Sequence, residues 1–124
     1  MMPLLFIGAG GFFGAIARYV VDGRLTAYTG GTLPWGTFAI NISGSFLIGL
    51  LFVLLTERAA LSPDLRGPLM IGFIGSYTTF STLALESWRM LQDGAWLTAC
   101  INLGGSVLLG MLAVVAGVAL GRAL

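Results

Sequence analysis

Five hydroxyl side chains, Ser76, Thr78, Thr79, Ser81 and Thr82, fall within seven consecutive residues around Phe80. They interrupt a stretch, residues 67–85, that carries no charge and otherwise reads as membrane-spanning. A polar group in hydrocarbon costs free energy unless something bonds to it. Such a cluster therefore marks either a contact between helices or a route for a polar solute. Gly75-Ser76 at its start predicts a helix broken near the bilayer midplane, because irregular backbone survives at membrane depth only where it is buried in protein or lines a cavity.

Other polar residues are spaced to meet this segment. Thr37, Asn41, Ser45 and Gly49 recur every four residues and so share one helix face. Asn102, Ser106 and Gly110 repeat that spacing, as do Gly10, Gly14 and Arg18; Thr82 and Glu86 are again four apart, with Arg89 on the next turn. Each stripe alone is consistent with helix packing, in which small residues let backbones approach and Ser, Thr and Asn bond across helices for about 0.6–2 kcal/mol. Their convergence on a hydroxyl-rich break favours a second chemistry, coordination of an anion. Asn41 offers two N–H donors and each Ser or Thr one. The positive edge of the Phe80 ring adds to them. Arg18 either snorkels to the interface or forms an electropositive vestibule. Glu86 is either a proton or cation relay or the partner of Arg89 at i+3. Carbonyls released by a helix break are acceptors, and two copies meeting at a dyad would cage a small cation such as sodium.

The elements that must position these groups follow from composition. Of the 124 residues, 57% are hydrophobic and 9% charged, against about 25% charged in soluble domains, and mean hydropathy is +0.98. A helix needs about 20 mostly apolar residues to cross a bilayer. Four segments qualify, roughly 4–21, 34–56, 67–90 and 96–120. Residues 1–124 therefore read as a single all-α, four-span membrane domain. The loops between spans hold Asp22-Gly23-Arg24 with Gly30-Gly31, then Glu57-Arg58 through Gly67-Pro68, then Gln92-Asp93-Gly94. Trp35, Trp88 and Trp96 fall near membrane edges, where interfacial aromatics collect. No Lys or Arg precedes the first apolar run, which continues to Arg18 and suits a retained span better than a cleaved signal.

Composition also excludes. There is no His, and Cys100 is the single cysteine, so the commonest general base and any cysteine metal cluster are missing. An enzyme is not expected. A net charge of +1 offers no cationic face for nucleic acid. The six cations are all Arg: Arg58, Arg66 and Arg122 belong to one set of loops, Arg18, Arg24 and Arg89 to the other. That three-to-three split removes the bias that normally fixes orientation. Either the chain inserts both ways and opposed copies pair, or one or two arginines are buried and do not count. Four helices can hardly enclose a polar path alone, so an oligomer, most often a dimer, is expected.

The chain resembles the CrcB/Fluc family of fluoride channels along nearly its whole length. The resemblance rests on Gly10-Gly11-Phe12-Phe13-Gly14 with Arg18-Tyr19, and on Pro34-Trp35-Gly36-Thr37 with Asn41 and Gly44-Ser45-Phe46-Leu47-Ile48-Gly49. It is completed by Gly72-Phe73-Ile74-Gly75 with Thr78-Thr79-Phe80-Ser81-Thr82 and Glu86. It implies an antiparallel, dual-topology homodimer with two fluoride pathways and a structural sodium ion. Backbone carbonyls of Gly75 and Thr78 from both copies would hold the sodium. Asn41 and Phe80 would line the fluoride route, with Thr79, Ser81, Thr82, Thr37, Ser45 and Ser106 as a polar track and Arg18 at the vestibule. Where the family commonly has a second phenylalanine on that route this chain has Leu83, and Tyr77 replaces a usually smaller residue.

The function expected is passive fluoride export across the inner or plasma membrane of a prokaryote. The alternative is a small dual-topology, proton-coupled drug or cation antiporter using Glu86, and a third reading is a structural membrane subunit without transport.

Overall fold

The computed structural model describes residues 2–124. It is all-helical, with four helices long and apolar enough to cross a membrane: α1 Met2–Thr29, α2 Trp35–Glu57, α3 Pro63–Gln92 and α4 Trp96–Ala123. This is a multi-pass membrane protein.

The helices pack as two parallel pairs. Along the α1–α3 seam, Gly10 lies against the Pro68 carbonyl, Gly72 against the Ile7 carbonyl, and Gly14 against the Phe73 carbonyl and Ser76 Oγ. A Cβ at any of these glycines would overlap backbone, so the glycines permit the approach. The α2–α4 seam uses the same device, with Gly49 on Val114 backbone and Gly117 on the Phe46 carbonyl. Little side-chain volume is enclosed: Ile40, Val53, Ile74, Leu83 and Ala99 are among the few buried apolar residues, whereas Phe12, Phe13 and Tyr19 on α1 stand outward.

α1 is longer than the 4–21 span the sequence predicts. It runs straight through Asp22-Gly23-Arg24, which the sequence places in a loop, and turns only at Gly30 and Gly31, whose φ values are 80° and 70°. One glycine costs a helix about 1 kcal/mol, which the flanking turns absorb. Twenty-eight residues span about 42 Å at 1.5 Å each, beyond the ~30 Å hydrocarbon layer. The extra turns bring the Asp22 carboxylate against Gly36 at the start of α2.

α2 is regular to Phe52 and then widens into a π-helical turn, Val53–Glu57. That end is tied to α4: Arg58 Nη1 donates to the Gly121 carbonyl at 3.0 Å, and Arg122 grips Glu57 with two bonds of 2.9 and 2.7 Å. α3 starts at Pro63, ahead of the predicted residue 67, in a 3-10 turn capped by Ser62. It widens over Gly67–Ile74 and returns to α-helix for Gly75–Tyr77. Thr78 (φ −78°, ψ 155°) and Thr79 (φ −150°, ψ 115°) are extended, and the helix resumes as Phe80–Gln92.

Candidate functional site

The backbone around Thr78 and Thr79 is held by side chains. Asn41 Oδ1 accepts the Thr79 N–H at 2.8 Å, and Asn41 Nδ2 donates to the Thr79 carbonyl at 3.0 Å, as a neighbouring strand would. Thr79 Oγ1 caps the resuming helix by accepting the Thr82 N–H at 3.3 Å, and donates to Thr82 Oγ1 at 3.0 Å. Upstream, Tyr77 is buried, stacks on Phe73 at 5.8 Å and shares a 2.9 Å bond with Ser43. α2 thus grips the interruption on both sides.

Two consequences follow for ion chemistry. In an α-helix the N–H of residue i closes on the carbonyl of residue i−4. Since the Thr79 N–H goes to Asn41 and the Thr82 N–H to Thr79 Oγ1, the Gly75 and Thr78 carbonyls lose their helical donors. Their lone pairs suit a hard cation, as oxygen ligands do. Among the described residues no three His, Cys, Asp or Glu side chains group to hold a metal; the released carbonyls are neutral oxygen donors. Second, one of the two N–H groups of Asn41 remains after the clamp is made.

An open groove of about 260 Å³ lies beside the interruption, lined by Asn41, Ser45, Thr79, Phe80, Leu83 and Ser106. Ser106 is 6% exposed, and its hydroxyl has no hydrogen-bond partner. A buried hydroxyl without a partner costs about 1–3 kcal/mol, so a ligand that accepts from it is favoured there. Phe80 lines the groove and is 75% exposed, and Leu83 lines it as a buried residue.

A second cavity, about 190 Å³, is lined by Arg18, Asp22, Thr37, Thr79 and Thr82 among others. Thr79 borders both spaces. The sequence-predicted residues therefore divide. Asn41, Ser45, Thr79, Phe80, Leu83 and Ser106 meet at the groove, Arg18, Thr37 and Thr82 meet at the second cavity, and Ser81 is exposed beside Thr79.

Several polar residues are consumed as packing contacts. Thr37 is buried and gives its proton to Glu86 Oε1 at 2.8 Å; the other carboxylate oxygen of Glu86 has no partner. Glu86 is thus tied to α2 rather than to Arg89, and the ion pair among the described residues is Glu57–Arg122. Ser76 donates to the Gly11 and Gly72 carbonyls at 2.7 and 3.0 Å, and the Thr78 hydroxyl to the Ile74 carbonyl at 2.9 Å. Asn102 donates to Ser87 at 3.0 Å, joining α4 to α3. Sequence spacing misses Ser87 and Ser43, which belong to no repeating stripe, and Asp22, which continues the Gly10, Gly14, Arg18 spacing into a segment read as a loop.

Comparison with known proteins gives one consistent result. A family described as "CrcB-like protein, Camphor Resistance (CrcB)" matches residues 5–118. A relative from Magnetococcus marinus, named a fluoride-specific ion channel, is 41% identical over 121 residues, 98% of each chain. Relatives with the same name from Geobacter sulfurreducens and Acidobacterium capsulatum are 40% identical over 124 residues, all of both chains, and 45% over 121 residues, 98% of this chain and 97% of the relative.

Proposed function

Because this chain belongs to the CrcB-like family, whose named relatives are ion channels and not enzymes, we propose that it is a fluoride-selective channel that lets the ion leave the cell down its gradient. The observation that carries this reading is the unpartnered, buried Ser106 hydroxyl beside the remaining Asn41 N–H and the Phe80 ring. Fluoride is small and strongly hydrated, so it sheds water only where several donors replace it at once. Ser45, Ser106 and Asn41 supply O–H and N–H groups, and Phe80 a positive ring edge. Leu83 contributes shape without such an edge. The route continues past Thr79 and Thr82, with Ser81 at its side, to the cavity where Arg18 raises the local anion concentration. Thr37 shapes that cavity through its bond to Glu86.

The groove is open and Phe80 on its lining is exposed, and a second, antiparallel copy would close it. The equal division of Arg58, Arg66 and Arg122 against Arg18, Arg24 and Arg89 is what dual insertion requires. At the dyad the interruption of α3 would sit near the bilayer midplane, with Gly75 and Thr78 carbonyls of both copies around a sodium ion. Sodium, when bound, supplies positive charge that offsets the carbonyl dipoles and draws anions into the flanking routes. The setting is the inner or plasma membrane of a prokaryote, where fluoride entering as HF in acidic surroundings must be returned.

Purified protein in liposomes is expected to release fluoride and retain chloride when both gradients are imposed, with Phe80→Ala slowing release. A fluoride-electrode trace matching that of empty vesicles overturns the proposal. Proton flux driven by a cationic drug and abolished by Glu86→Gln would instead mark the antiporter.

A further inference from the structure

We propose that Asn41 and the Thr79 hydroxyl are positioning residues for the cation cage, keeping the Gly75 and Thr78 carbonyls available by capturing the two N–H groups that would otherwise close helical turns on them. This rests on the sodium reading above. Hydrophobic surroundings drive backbone groups to pair, because an unpaired N–H or carbonyl at membrane depth has no water to replace the missing hydrogen bond. Without a competing acceptor the Thr79 N–H would return to Gly75 and the Thr82 N–H to Thr78. The competing acceptors are Asn41 Oδ1 at 2.8 Å and Thr79 Oγ1 at 3.3 Å. One carbonyl is thus released by α2 and the other by the interruption itself.

The two captures differ in reach. Thr79 acts locally, within one turn, as an N-cap does. Asn41 acts across helices, and the same amide lines the anion groove. A residue of the proposed anion route therefore also governs the cation site, so sodium binding and the geometry of the groove are linked through one side chain. Linkage of this kind is reciprocal in binding free energy.

The test reads sodium binding separately from transport. Melting of the full-length protein in detergent is followed as sodium replaces N-methylglucamine, alongside fluoride efflux from liposomes. Thr79→Val keeps the side-chain shape and removes the acceptor, and is expected to need about tenfold more sodium for the same stabilisation, the loss of roughly one hydrogen bond's worth of preorganisation. Thr79→Ser restores the acceptor and the wild-type response. Asn41→Leu shows the same weakening. Asn41→Asp, which still accepts the Thr79 N–H but offers no amide donor, retains the sodium response and loses fluoride efflux. If Thr79→Val does not yield folded protein, Thr79→Ala removes the same acceptor. A wild-type chain indifferent to sodium overturns the sodium reading together with this inference. A wild-type response that Thr79→Val and Asn41→Leu leave unchanged overturns the inference alone.

Discussion

Two sets of hydroxyls around the interruption of α3 meet opposite fates. On α3, Ser76 and Thr78 give their protons to carbonyls of α1 and of their own helix, and the seam is sealed. On α2 and α4, Ser45 and Ser106 line a groove and make no side-chain bond among the described residues, Ser106 being buried as well. The difference is one of acceptors. Gly10, Gly11 and Gly14 bring α1 backbone within reach of α3, so a hydroxyl there finds a carbonyl. At the groove Ser45 and Ser106 bond no carbonyl, and each hydroxyl keeps its donor for something else. A serine in hydrocarbon is packing glue or a ligand donor according to the backbone beside it.

That contrast can be broken from either side. The largest effect is expected from Gly14→Leu, whose side chain would collide with the Phe73 carbonyl and Ser76 Oγ. Overpacking of this sort costs about 1–3 kcal/mol or more, and the expected result is loss of folded protein in detergent by size-exclusion chromatography. Ser76→Ala removes an interhelical hydrogen bond worth about 0.6–2 kcal/mol. It should lower the melting temperature while leaving fluoride efflux per folded protein near wild type. Smallest is Glu57→Gln. It weakens an exposed ion pair at the far end of α2 and α4, and such pairs contribute little, so melting and efflux should both stay close to wild type.

Much of the frame is legible in the sequence, because the apolar runs and their lengths answer directly to bilayer thickness. The four helices and the family follow from them and from the glycine and Thr-Thr-Phe-Ser-Thr motifs. Partner choice is what spacing alone does not supply. Thr37, Asn41 and Ser45 share a face, yet one binds a carboxylate, one clamps backbone and one lines a groove. Each fate depends on which atoms of α3 lie opposite, and that is fixed only when the helices dock. The Asp22-Gly23-Arg24 segment misleads for a related reason: charge and glycine signal a loop, but the helix simply extends out of the hydrocarbon and keeps its bonds.

The sharpest test sets Ser106→Ala against Ser76→Ala in one fluoride-efflux assay on liposomes of equal protein content, with chloride as the control ion. If unpartnered hydroxyls stand in for the water of fluoride, Ser106→Ala slows fluoride release about tenfold, the value of one good donor. It does so at undiminished thermal stability, while Ser76→Ala conducts normally and chloride stays inside. Equal fluoride release from both variants, or release no faster from the wild type than from empty vesicles, contradicts the account.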